Sequence, residues 1–164
     1  MKIIRAGSLE NMQMNLNKIN AISYYILISV SGLILPLVLM PVITLTGYSE
    51  IVEEIAKALV IFFIVLKLPL LKQKIWAVVL FGFLFGLSES IFYLNNIFQV
   101  GDFGLLWQRL LWIIPVHIST VLIIILPALK DRKWIFLGLA SAIILHIIFN
   151  IHWSLIGSGS VGLL

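Results

Sequence analysis

Cysteine is absent from the chain, and with it go disulfides, thiolate nucleophiles, cysteine-ligated metals and thioether lipid anchors. Charge is scarce as well: Asp, Glu, Lys and Arg make up 11% of the 164 residues, against about 25% in an ordinary soluble domain. Acidic residues are the scarcer sign, seven against eleven basic ones. What fills the chain instead is apolar, 62% hydrophobic with a mean hydropathy of +1.15. This composition excludes a soluble globular protein and makes the bilayer the main solvent. The net charge of +4 does not point to nucleic acid, because the basic residues form short clusters between apolar runs, as membrane-flanking residues do.

Five apolar runs follow a polar tail over residues 1–20. They cover about 21–46, 51–68, 75–98, 105–129 and 134–156, and together form a single transmembrane domain over 21–164. None alternates in polarity as barrel strands do, so the expected fold class is an all-α integral membrane protein, a bundle of about five transmembrane helices. The first run carries no small-residue cleavage site and reads as an uncleaved anchor. Pro36 and Pro41 are expected to kink or end it.

Nine of the eleven basic residues fall on one side of that arrangement: Lys2, Arg5 and Lys18 in the tail, Lys67, Lys72 and Lys74 around the second loop, and Lys130, Arg132 and Lys133 in the fourth. The positive-inside rule then puts the N-terminus in the cytoplasm and the C-terminus outside. Trp76, Trp107, Trp134 and Trp153 near the span ends suit interfacial positions.

The charges left inside the spans are Glu53, Glu54, Lys57, Glu89 and Arg109, joined by His117 and His146. Ionisable residues cost a few kcal/mol each within a bilayer, so they face a protein interior or a wet cavity and carry function. Helix rise places Glu89 about 13 Å, His146 roughly 15 Å and His117 roughly 18 Å from the outer face, with Glu53, Glu54 and Lys57 in the first two turns of their span. One polar layer in the outer half of the membrane follows, built from four helices. Glu53 shares a helix face with Lys57, and His146 with Asn150, each pair four residues apart. Gly82, Gly86 and Ser90 on the third span, and Gly138 and Ala142 on the fifth, form small-residue stripes for close helix packing. Pro115 opens the fourth helix beside His117 by leaving the Leu111 carbonyl without a helical donor. Against a functional reading, Glu53 and Lys57 would also suit an interfacial salt bridge, and His152, Asn95, Asn96 and Asp102 suit edges and loops.

Such a set supplies what hydrolysis within a membrane needs: a base for water, and groups to stabilise the oxyanion in a low-dielectric site. Two adjacent carboxylates can divide those roles, with Lys57 or Arg109 as the supporting cation. Glu89, His117 and His146 would equally make a two-histidine, one-carboxylate Zn2+ site, although no His-Glu-x-x-His motif is present.

Four short motifs occur in order. Glu53-Glu54-Ile-Ala-Lys57 resembles the Glu-Glu-x-x-Lys motif of the PrsW family of intramembrane proteases. Phe85-Gly-Leu-Ser-Glu89, followed by Tyr93, is similar to its Phe-x-x-x-Glu motif. Arg109 with His117 and Thr120 resembles the third motif, and His146-Ile-Ile-Phe-Asn150 the last. The resemblance extends to the wider CAAX-protease and bacteriocin-processing superfamily, with two departures: Ala58 stands where that pattern has arginine, and Glu89 where it has histidine. It implies a multi-pass protein of a bacterial or archaeal inner membrane that cleaves a membrane-anchored protein, such as an anti-sigma factor, near the outer leaflet. By the same resemblance Glu53 or Glu54 would be the general base, Glu89, His117 and His146 would bind a metal or polarise the carbonyl, and Asn150 would support the oxyanion. Metal-dependent and glutamate-only chemistry both remain open at this point. Two further functions fit the same residues: a cation or proton transporter using them as a relay, and a non-catalytic membrane scaffold.

Overall fold

A computed structural model of the chain describes residues 2–92, 94 and 104–161, with side chains described for 19–92, 94, 104, 106–108 and 110–152. Among these residues five α-helices account for nearly all of the backbone: α1 Lys2–Thr46, α2 Ser49–Lys67, α3 Leu71–Phe92, α4 Gly104–Lys130 and α5 Ile135–Val161. A single 3-10 turn, Arg132–Trp134, joins the last two. Four stretches are long and apolar enough to cross a membrane: Ile19–Thr46, Leu71–Phe92, Leu106–Lys130 and Arg132–His152. The helix outside that set is α2, whose first turns carry Glu50, Glu53, Glu54 and Lys57.

The helix ends differ in places from the expected spans. The tail is not separate from the first span, because α1 is continuous from Lys2; no proline precedes Pro36 to stop a helix propagating outward from the apolar segment. Nor do Pro36 and Pro41 end it, for α1 passes both and stops at Thr46. Termination falls instead to Gly47, which adopts φ +74° and returns its N–H to the Ile43 carbonyl at 2.8 Å, the left-handed conformation that glycine takes without a Cβ penalty. α3 starts four residues before the expected span, directly after Pro69 and Leu70, so Lys72 and Lys74 lie within its first turn and can extend their heads toward water. Tyr93, Asn95, Asn96 and Asp102 lie outside the described residues, as do the side chains of Arg109 and Trp153.

α3 packs along α4, α4 along α5, and α1 lies on the outside of α3. α2 is held between α1, α4 and α5. α1 is fixed to α3 at both ends: the Tyr25 hydroxyl donates to the Gln73 carbonyl at 3.1 Å, and the Ser88 hydroxyl donates to the Leu33 carbonyl at 2.7 Å. The opposite face of α1, with Ile26, Leu33, Leu37 and Val38, is exposed and suited to lipid.

The buried core divides along the bundle. Below Lys57, toward the C-terminal end of α2, it is mainly apolar: Ile61, Ile64, Val65 and Leu68 pack with Ala77, Val78, Phe81, Ile124, Ile125 and Ala128, with Thr120 as a buried hydroxyl that donates to the His117 carbonyl. From Lys57 upward the buried polar side chains are Glu53, Glu54, Lys57, Ser88, Ser90, His117 and His146. Close approach of α3 to α4 sets the level at which these meet. A Cβ on Gly86 would stand 2.9 Å from His117 Cδ2 and 3.0 Å from the Ile114 Cα, and one on Gly82 only 2.9 Å from the His117 carbonyl oxygen. Gly86→Val is therefore expected to push α3 from α4 at a cost of roughly 1–3 kcal/mol, read as a lower unfolding midpoint in detergent. A surface glycine such as Gly47 replaced by Asn is expected to cost less, since no heavy atom lies within 4 Å of its Cβ position and Asn tolerates the left-handed region.

Candidate active site

The centre of the polar layer is Lys57, fully buried in the third turn of α2. An ammonium placed there needs acceptors, because an unpaired buried charge is among the costliest groups in a fold. Lys57 Nζ donates to Glu54 Oε1 at 2.7 Å and to His117 Nδ1 at 2.7 Å, and lies 3.8 Å from Glu53 Oε2. It also sits 4.4 Å from the ring centroid of Phe85, a cation–π contact. Glu54 is three residues before Lys57 and Glu53 four, so one helix face presents both carboxylates beside the amine.

The histidines extend this centre in two directions. Since Nδ1 of His117 accepts from an ammonium, its ring proton is on Nε2, which donates to Glu89 Oε2 at 2.5 Å. His146 takes the opposite tautomer: Nδ1 donates to Glu54 Oε1 at 2.8 Å, and the ring meets that of His117 edge-on with centroids 5.3 Å apart. Glu54 Oε1 thus receives both Lys57 and His146 and is committed to holding them. One turn along α5, Asn150 Nδ2 donates to Glu50 Oε1 at 2.8 Å. The pairs Glu54–His146 and Glu50–Asn150 step in opposite sequence directions, so α2 and α5 run antiparallel where they touch.

Glu53 differs from its neighbour. It lines a cavity of about 240 Å³ between α1, α2 and α3, together with Ser49, Glu89, Phe92 and, from α1, Pro36, Met40 and Ile43. The Oε2 atoms of Glu53 and Glu54 are both buried with no hydrogen-bond partner, but of the two only Glu53 lines the cavity, where its Oε2 has the Lys57 ammonium 3.8 Å away. Two acidic side chains from different helices, Glu53 and Glu89, therefore face one small space.

Glu53, Glu54, Lys57, Glu89, His117 and His146, expected from the sequence, are brought into one connected group. Asn150 belongs to it through Glu50 rather than through a histidine. Glu50 and Phe85 are additions: Glu50 sits four residues before Glu54, the same spacing as His146 to Asn150, and that matched register was a readable signal. His152 is exposed.

Among the described residues, Glu53, His117 and His146 are the group whose ligand atoms converge as those of a metal site would, within 4.8 Å of one another. Glu53 stands there in place of the expected Glu89. The donor set does not fit a metal as arranged, because both nitrogens of His117 are engaged, one by Lys57 and the other by Glu89. A divalent ion on these donors would also face the Lys57 ammonium at close range, where like charges repel strongly at low dielectric. Lys57 already occupies the cationic position among these groups.

No family model matches the chain, and neither a curated protein nor a solved structure matches it.

Proposed function

We propose that the protein is an intramembrane endopeptidase that hydrolyses a peptide bond of a membrane-anchored protein, using water activated by Glu53. The observation that carries this reading is Glu53 itself, which makes no short hydrogen bond and lines a cavity with Glu89, backed by a fully buried Lys57 that joins α2 to α3 and α4 and, through Glu54, to α5. The ordered motifs that resemble the PrsW family support the same assignment.

In this reading Glu53 takes a proton from a water in the cavity, and the water oxygen bonds to the scissile carbonyl carbon. His146 is held by Glu54 through Nδ1, and the Lys57 ammonium, 3.8 Å from Glu53, supplies the positive potential that favours the oxyanion as it forms. Glu53 then gives its proton to the amide nitrogen as the C–N bond breaks, leaving a carboxylic acid, which loses its proton to the new amine, and Glu53 as the carboxylate again. Glu54, Lys57, His117 and Glu89 position these groups and keep the local charge balanced. Asn150 fixes the start of α2 through Glu50.

α2 would be the fifth span, since its 19 residues rise about 28 Å, close to the hydrocarbon thickness. With the lysine clusters in the cytoplasm and the C-terminus outside, the reaction takes place in the outer half of the membrane, suiting a bacterial or archaeal inner-membrane protein and a substrate such as an anti-sigma factor. Hydrolysis is favoured over transport because, among the described residues, no buried ionisable side chain lies below Lys57 to pass a charge onward.

Reconstitution into proteoliposomes with a single-span protein substrate tests the proposal. Two product fragments are expected, with ion and proton flux at the level of empty vesicles. Intact substrate together with flux that depends on Glu89 would replace it with transport. Elemental analysis checks the metal-free form: one tightly held zinc per chain, lost in a His117→Ala/His146→Ala double variant, would replace glutamate catalysis with a metal-dependent one.

A further inference from the structure

A second cavity, of about 820 Å³, lies where the middle of α1 passes the C-terminal end of α2 and the start of α3. Lys67 on its wall and Glu53 at the active site are fourteen residues apart on α2, or about 21 Å along the axis, so the two sites share no residue and sit at opposite membrane faces. Asn20, Tyr24, Tyr25, Lys67 and Gln73 supply its polar wall, and Ile22, Leu68 and Leu70 its apolar one. Gln73 Oε1 is buried with no hydrogen-bond partner, although the Gln73 backbone carbonyl is taken by Tyr25. A buried acceptor left this way carries a desolvation cost that a donor entering from the cavity would offset.

We propose that this cavity binds an anionic phospholipid, with the phosphodiester on Lys67 and a headgroup hydroxyl donating to Gln73 Oε1. Charge complementarity selects that class: Lys67 stands on the cavity wall, Lys72 and Lys74 begin the adjoining helix, and basic pockets between helices at the lysine-rich face recognise acidic headgroups. An amine headgroup would instead bring a second cation beside Lys67. Ile22 and Leu70 on the cavity wall are each about 60% exposed, and offer the acyl chains an apolar surface. A headgroup with free hydroxyls on a phosphodiester, as in phosphatidylglycerol, satisfies both walls.

Native mass spectrometry of the full chain in detergent tests this with phosphatidylglycerol, phosphatidic acid, phosphatidylcholine and inorganic phosphate. Phosphatidylglycerol is expected to bind one per chain, and phosphatidylcholine more weakly. Lys67→Gln should weaken phosphatidylglycerol roughly fivefold, the contribution of one lysine near an acidic headgroup, while Lys130→Gln in the other loop leaves it unchanged. Gln73→Leu should weaken phosphatidylglycerol but not phosphatidic acid, which lacks the headgroup hydroxyl. Lys67 is exposed, so its replacement leaves the packed core intact. Equal binding of phosphatidylcholine, indifference to both substitutions, or displacement by millimolar inorganic phosphate would overturn the proposal, the last by indicating a free-phosphate site. Because none of these readouts uses proteolysis, failure here and failure of the peptidase reading are distinguishable.

Discussion

Glu53→Gln is expected to lower kcat for substrate cleavage by roughly 10²–10⁴, the usual contribution of a positioned general base, while leaving the unfolding midpoint nearly unchanged. The amide keeps the size of the carboxylate, and Glu53 makes no short hydrogen bond whose loss would loosen the helices; its nearest cation is Lys57 at 3.8 Å. Glu54→Gln provides the contrast. Glu54 Oε1 accepts from both Lys57 and His146, so removing its charge should cost stability and activity together. Parallel measurement of kcat and unfolding for the two variants separates the roles. If Glu54→Gln retained stability and lost only kcat, with Glu53→Gln active, the assignment of the base would pass to Glu54.

Lys57→Met should be the most destabilising single substitution in the chain, by about 3–5 kcal/mol, as when one partner of a buried ion pair is removed. Methionine has similar length but leaves Glu54, fully buried, with no cation and His117 Nδ1 with no donor. Equilibrium unfolding in mixed detergent micelles measures the loss. Coupling of the two residues predicts that Lys57→Met/Glu54→Gln is more stable than the sum of the single variants implies. Additivity within about 0.5 kcal/mol would show that the pair contributes little beyond its separate parts.

Most of the helices and most of the candidate site were legible in the sequence, for one physical reason. A bilayer makes charge so costly that Glu53, Lys57, Glu89, His117 and His146 stand out against an apolar background, and helix rise alone puts them at one depth. Which of two adjacent carboxylates faces the cavity was not legible. A shift of one residue turns a side chain by about 100° around the helix, and only the packing of α1 against α2 and α3 decides which side is covered. α1 continues through Pro36 and Pro41 because proline removes one hydrogen bond without stopping a helix that packs along one face on α2 and α3. Ser88, donating to the Leu33 carbonyl, is such an attachment.

The most direct test of the central claim is cleavage of a single-span substrate in proteoliposomes made up in H2(18)O, with the new C-terminus read by mass spectrometry. Hydrolysis by an activated water predicts one 18O atom in the product carboxylate for the unaltered protein, and no product above background for Glu53→Gln. Intact substrate with the unaltered protein, or labelled product undiminished in Glu53→Gln, would contradict it.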